Sequence, residues 1–298
     1  MANTKAIQLR NLLADDHGIL TAPGIYDGLS AALAQRSGFE VGYVSGGAAS
    51  VSVIGRPDLG IMTGAEMIDH VGRLQGATDV PLIVDIDTGY GNEINIRHTV
   101  ERLAQRGVAA VQIEDQTFPK RCGHLHGKDV VSRADAVSRV HAASKARGTD
   151  EMLIIARTDA IAPQGLDEAI ARAHLYIEAG ADIIFVEAPA SLEDVRTIAA
   201  EVPAPLMINV IASGRTPVLS AGEYAELGYR IAIYPALTIA AAMGAIDHAL
   251  TELRLHGKPP AAASPKELFS AVGLDDWLSW AGAEVSELEQ ARVSPLAH

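Results

Sequence analysis

Asp85 and Asp87 stand two residues apart at the end of an apolar run, 82–87, and Glu114 closes a second run, 110–114. On a strand, positions i and i+2 share a face, so the two aspartates are expected to point together. Buried carboxylates this close repel, and a hard divalent cation relieves the repulsion. An all-oxygen set that keeps several waters suits Mg²⁺ better than Zn²⁺. The competing reading pairs these acids with Arg157 or uses them to cap the helices that follow. A second stretch, Lys120-Arg121-Cys122-Gly123-His124-Leu125-His126-Gly127-Lys128, carries the only cysteine. Basic neighbours stabilise a thiolate and lower its pKa from ~8.5 towards neutrality. Such a thiol can exchange a proton with a carbon acid. Gly123 and Gly127 supply hinges with which the segment can close over a substrate. The alternatives are a solvated basic loop and an inert cysteine. Ser45-Gly46-Gly47 fits either a backbone cradle for a carboxylate or a tight strand-to-helix turn.

These residues need elements to position them, and the sequence supplies a regular alternation. Short β-type runs occur at 19–22, 41–45, 82–87, 110–114, 153–157, 183–187, 206–209 and 230–234, most of them apolar at nearly every position. That pattern belongs to a parallel sheet covered on both faces. Helical stretches lie between them, as at 30–37, 94–106, 133–147 and 166–178. Gly38, Gly107, Gly148 and Gly180 follow last turns, where a C-cap wants positive φ. Eight such units predict an α/β fold, a closed (β/α)8 TIM-type barrel. An open doubly wound sheet would carry a glycine-rich phosphate turn after its first strand, and the sequence there is Thr21-Ala22-Pro23-Gly24-Ile25-Tyr26-Asp27-Gly28. In a barrel, polar residues at the carboxyl ends of strands are the functional candidates. Here they are Tyr43 and Ser45, Asp85 and Asp87, Glu114 and Asp115, Arg157 and Asp159, Glu187, and Asn209.

The chain of 298 residues is 48% hydrophobic and 20% charged, which excludes a disordered chain. A single cysteine excludes a disulfide scaffold and suits a reducing compartment, so the cytoplasm is the expected location. With 37 acidic and 24 basic residues the net charge is −13, which argues against nucleic acid or an anionic membrane as partner. An acidic protein that binds an anionic substrate needs local positive charge from a metal or from converging Arg and Lys. Residues 1–255 form the expected barrel with its N-terminal helix. The Pro- and Ala-rich link from His256 to Pro265 leads into a tail, 256–298, with Trp277 and Trp280. That tail packs either on a neighbouring subunit or on its own barrel.

The segment Lys120-Arg121-Cys122-Gly123-His124 resembles the K-[KR]-C-G-H signature of the lyase branch of the isocitrate lyase/phosphoenolpyruvate mutase superfamily. The resemblance extends to Tyr43 with Ser45-Gly46-Gly47, Asp58, Val84-Asp85-Ile86-Asp87-Thr88-Gly89-Tyr90-Gly91, Glu114-Asp115, Arg157-Thr158-Asp159, Glu187 and Asn209. It implies a Mg²⁺-dependent barrel, with Mn²⁺ as a substitute, whose C-terminal helices are swapped between paired subunits of a homotetramer. It further implies that Asp85 coordinates the metal while Asp87 and Glu114 hold its waters. Ser45, Gly46, Gly47 and Arg157 would grip the carboxylate beside the hydroxyl. Gly123, His124, Asn209, Ser213 and Thr216 would hold a second carboxylate. The implied reaction breaks the C2–C3 bond of a 2-hydroxy di- or tricarboxylate of the 2-methylisocitrate or 2,3-dimethylmalate type. Cys122 then protonates the enediolate, with His124 beside it. The base that removes the hydroxyl proton is left open among Tyr43, Glu187, Arg157 and a metal-bound water. Rival expectations are oxaloacetate decarboxylation, phosphonopyruvate hydrolysis, phosphoryl mutase chemistry of the phosphoenolpyruvate or carboxyphosphonoenolpyruvate type, and a barrel that binds metal and ligand without catalysis. Cys122 separates them, because only the lyase needs a thiol to protonate a carbon.

Overall fold

Apolar residues at consecutive strand positions demand cover on both faces, and the chain meets that demand by closing a sheet on itself inside a ring of helices. The computed structural model describes residues 3–14, 18–120, 127–148, 152–212 and 214–282. Its strands are β1 (Leu20–Pro23), β2 (Gly42–Val44), β3 (Leu82–Asp85), β4 (Ala110–Glu114), β5 (Leu153–Thr158), β6 (Ile183–Val186), β7 (Leu206–Asn209) and β8 (Tyr229–Tyr234). All pair in parallel in the order β1-β8-β7-β6-β5-β4-β3-β2. A parallel bridge between Gly24 and Tyr43 joins β1 to β2, so the expected (β/α)8 barrel is the observed fold. Its helices are α1 (Thr4–Ala14), α2 (Gly28–Arg36), α3 (Gly46–Ala49), α4 (Gly64–Gln75), α5 (Glu93–Ala104), α6 (Arg133–Ala146), α7 (Ile161–Gln164), α8 (Leu166–Glu178), α9 (Leu192–Glu201), α10 (Ala221–Glu226), α11 (Leu237–His256) and α12 (Pro265–Ser270).

Helix starts follow short polar side chains. Asp27, Thr63, Asn92, Ser191 and Ser220 each cap a first turn in a reciprocal capping box. The four glycines expected at helix ends all have positive φ. The chain forms two compact units, Met1–Gly244 and Ala245–His298, and the barrel lies in the first. In the second, Ser264 caps α12 and residues 274–282 are helical. Among the described residues no helix is long and apolar enough to cross a membrane.

The period-2 alternation of the strands divides the core in two. Outward residues such as Val84, Val111, Ile154, Ile184 and Ile208 pack beneath the helices. Inward residues Ala22, Tyr43, Ile83, Ala110, Ile155, Phe185, Met207 and Ile233 fill the barrel, with Leu9 of α1 among them. Closure also needs backbone to approach backbone. A Cβ on Gly24 would lie 2.2 Å from the Pro235 carbonyl oxygen, where β1 and β8 end side by side. Gly24→Ala is therefore expected to lower the unfolding free energy by ~1–3 kcal/mol, as overpacking does. Urea unfolding measures it, and an unchanged midpoint would contradict this account of closure.

One expected element is corrected. β3 ends at Asp85 rather than running to 87, so Asp87 does not share a strand face with Asp85. Asp87 sits at φ 49°, in the left-handed region, and its N–H donates to Asp85 Oδ1 at 3.0 Å. A side-chain-stabilised turn, not pleat periodicity, brings the two carboxylates together.

Candidate active site

Five of the inward rows, those of β3 to β7, end in a polar residue at the carboxyl end of the barrel. Ile83 leads to Asp85, Gln112 to Glu114, Ile155 to Arg157, Phe185 to Glu187, and Met207 to Asn209, always at i+2. These five end residues are buried and line one cavity of ≈ 390 Å³ with Tyr43, Ser45, Gly47, Asp58 and Lys120. Val51, Ile211, Ile233, Pro235, Ile239 and Met243 add apolar lining to the same cavity.

Charge is unevenly distributed at the cavity. Asp58, Asp85, Glu114 and Glu187 face Lys120 and Arg157, so carboxylates outnumber cations two to one. Lys120 pairs with Asp58 and, at 2.7 Å, with Asp87 Oδ1. Burial, reinforced by Asp85 and Asp58, pushes Asp87 up to about 7 although Lys120 opposes the rise. Glu114 is also raised well above the usual carboxylate range, by burial first, against the pull of Arg157. Its Oε1 is buried with no hydrogen-bond partner among the described residues. Asp85 accepts from Gly46 N–H (3.1 Å), Asp87 N–H and Gln112 Nε2 (3.2 Å). Tyr43 donates its hydroxyl to Gln112 Oε1, and burial together with Asp85 pushes the phenol well up.

Arg157 is clamped along one edge. Its Nε and Nη2 donate to Asp159 at 2.8 and 2.9 Å, and its guanidinium lies 5.1 Å from the Phe185 ring centroid. Glu114 and Glu187 approach it at 3.4 and 3.9 Å. Asn209 donates to both oxygens of Glu187 at 3.4 Å. Asp115, next to Glu114 in sequence, points the other way. It accepts from Thr158 Oγ1, Arg172 and Tyr176 OH behind the barrel wall, and so supports the strand ends without lining the cavity.

Of the expected site residues, Tyr43, Ser45, Gly47, Asp85, Glu114, Arg157, Glu187 and Asn209 come together around the cavity. Asp87 joins them through Lys120. Ser45 caps α3, accepting from Ala48 N–H, so Ser45-Gly46-Gly47 does form a strand-to-helix turn. A Cβ on Gly46 would lie 2.9 Å from Asp87 Oδ1 and 3.1 Å from Asp85 Oδ2, and one on Gly47 would lie 3.2 Å from Asp58 Oδ2. Both glycines leave room for carboxylates. Thr216 is buried with Oγ1 unpartnered among the described residues, but it does not line the cavity. Cys122, Gly123, His124 and Ser213 lie outside the described residues.

Sequence reasoning missed Lys120 and Gln112 as members of the site. Gln112 carried a signal, being a lone polar residue inside an apolar strand at i−2 from Glu114. A family model described as phosphoenolpyruvate phosphomutase matches residues 9–254, which span every strand of the barrel. The chain belongs to this family. It is 41% identical over 276 residues to a 2-methylisocitrate lyase of Halalkalibacterium halodurans, covering 91% of each chain. Among solved structures it resembles a 2,3-dimethylmalate lyase, described as a PEP mutase/isocitrate lyase superfamily member, with TM-score 0.89 and 37% identity over 94% of both chains. A phosphonopyruvate hydrolase in complex with oxalate and Mg²⁺ matches with TM-score 0.80 and 28% identity, over 98% of this chain and 99% of that one.

Proposed function

We propose that this family member is a Mg²⁺-dependent carbon–carbon lyase. It would cleave a 2-hydroxy di- or tricarboxylate of the 2-methylisocitrate or 2,3-dimethylmalate type into a 2-oxoacid and a second carboxylic acid. The observation that carries the reading is the row of inward strand-end residues Asp85, Glu114, Arg157, Glu187 and Asn209 around one cavity, in a chain 41% identical to a 2-methylisocitrate lyase. The apolar lining from Val51, Ile211, Ile239 and Met243 suits the methyl groups of such a substrate.

The donor set fits a hard cation. Its atoms are all oxygen, carboxylates outnumber cations at the cavity, and Glu114 Oε1 is buried without a partner among the described residues. Asp85 would be the ligand, with Asp87 and Glu114 holding waters. When bound, Mg²⁺ or Mn²⁺ would supply positive charge to the oxygens of the hydroxy-acid end.

The remaining steps fall to the chain's own groups. Arg157, fixed on one edge by Asp159, would take the carboxylate beside the hydroxyl, with Ser45, Gly46 and Gly47 next to it. Asn209, with Gly123, His124, Ser213 and Thr216, would hold the second carboxylate. Glu187 lines the cavity and faces Arg157, whereas the Tyr43 hydroxyl is committed to Gln112 and resists ionisation. Glu187 is thus the better acceptor for the hydroxyl proton. As that proton leaves, the C2–C3 bond breaks, its electron pair forms the enediolate, and Cys122 returns a proton to carbon. A cytoplasmic location suits a working thiol. Exposed Leu268, Phe269, Trp277 and Trp280 support packing of the tail, 256–298, on a neighbouring subunit in a helix-swapped homotetramer.

A panel of 2-methylisocitrate, 2,3-dimethylmalate, isocitrate and methylmalate analogues, assayed with Mg²⁺ for release of pyruvate or glyoxylate, tests the reading. Turnover of at least one hydroxy acid is expected. Turnover of oxaloacetate or phosphonopyruvate alone would replace the lyase assignment with a rival of the same superfamily.

A further inference from the structure

Lys128 is anchored in a place that its neighbours in sequence do not share. Gly127 and Asp129 are exposed, yet the Lys128 side chain is only 2% exposed. Its Nζ lies 2.7 Å from Asp159 Oδ1, and the Asp159 side chain is fully buried. The same Oδ1 accepts Arg157 Nη2, and Oδ2 accepts Arg157 Nε. The Asp159 N–H is itself tied to Asp115 Oδ1 at 2.9 Å. Burying an ammonium is costly, and Asp159 already has a bidentate partner in Arg157. Lys128 is therefore redundant as a mere counter-ion. It also does not line the cavity, whereas Arg157 does.

We propose that Lys128 is a positioning residue for Arg157, sharing the Asp159 carboxylate so that the guanidinium keeps positive charge for an incoming substrate carboxylate. This rests on the reading that Arg157 is a substrate ligand. Three carboxylates, Asp159, Glu114 and Glu187, lie within 4 Å of Arg157. These carboxylates outnumber the guanidinium three to one, and Lys128, as a second cation, lessens the repulsion that an anionic ligand meets. Lys128 draws on Asp159 Oδ1, and the bidentate clamp still fixes the Nε/Nη2 edge of Arg157. Asp159 is held well below the usual carboxylate range, since Arg157 and Lys128 together outweigh the effect of burial, so it remains a permanent anion between two cations.

Calorimetric titration of oxalate into Mg²⁺-loaded protein reads the effect, with Mg²⁺ binding measured separately. Lys128→Gln is expected to weaken oxalate about tenfold or more, the scale of one lost charge-assisted hydrogen bond, with Mg²⁺ affinity unchanged. Lys128→Arg is expected to restore oxalate to within about threefold. Arg157→Lys is the control for the underlying reading, and unchanged oxalate affinity there would overturn Arg157 as a ligand. If Arg157→Lys loses oxalate while Lys128→Gln keeps it, the positioning role is overturned and the ligand role stands. Equal loss of Mg²⁺ and oxalate in both Lys128 variants marks a structural residue and also overturns the proposal. Should Lys128→Gln fail to fold, Lys128→Ala is titrated with and without ethylammonium. Oxalate affinity that does not respond to the amine counts against the proposal.

Discussion

Cys122→Ser is expected to lower lyase turnover by a factor of about 10² to 10⁴, the range for removal of a positioned general acid, while Mg²⁺ and oxalate still bind. Bond cleavage leaves an enediolate whose carbon must be protonated before products leave. A thiol flanked by Arg121, His124 and Lys120 is a far stronger acid than a serine hydroxyl. Lys120, which lines the cavity, stands two residues before Cys122 in sequence. Lys120 is paired with Asp58 and Asp87, and Lys128, six residues beyond the cysteine, with Asp159. One of the two lysines that flank the cysteine in sequence is thus fastened to Asp58 at the cavity, and the other to the Asp159 that clamps Arg157. Steady-state assay with the best hydroxy acid of the panel gives the answer. Turnover within tenfold of the parent would mean that the proton comes from elsewhere, and the thiol would lose its place in the reaction.

The barrel was legible because its two signals are redundant. Eight apolar runs separated by helical stretches leave few topologies, and the parity of each run decides which polar end residue faces inward. Parity separates Glu114 from Asp115: one lines the cavity and the other supports the wall through Tyr176 and Arg172. Taken only as polar residues at a strand end, the two look equivalent. Parity failed at Asp87, where a left-handed residue breaks the pleat and the Asp85 side chain organises the turn. A carboxylate cradle at 46 and 47 draws on backbone N–H groups, and that of Gly46 already donates to Asp85. Their missing Cβ atoms leave room for carboxylates 11 and 39 or more residues away in sequence. The pairs Lys120–Asp58 and Lys128–Asp159 span 62 and 31 residues. Only the path of the connecting segments determines them, and local pattern carries no trace of that path.

Asp85→Asn is expected to abolish detectable turnover and to weaken Mg²⁺ by at least about 10²-fold, more than the ~10–100-fold typical of an outer partner, with little net change in fold stability. Two effects oppose each other in the unliganded protein. An Asn amide placed at the Oδ2 position cannot accept from Gly46 N–H, and an orphaned buried donor costs ~1–3 kcal/mol. Against that, the substitution removes one buried carboxylate from a group so crowded that Asp87 is pushed up to about 7 by burial and by its neighbours Asp85 and Asp58. Losing this repulsion returns stabilisation of similar size, so the urea midpoint is expected to stay near that of the parent while the metal is lost. EDTA should silence the parent protein, and added Mg²⁺ should revive the parent but not the variant. A parent that works undiminished in EDTA would remove the metal from the account. A variant that unfolds would instead show that Asp85 is held there to order the Gly46 turn, with Gln112 as its partner, and that the acids around the cavity belong to the architecture rather than to the reaction.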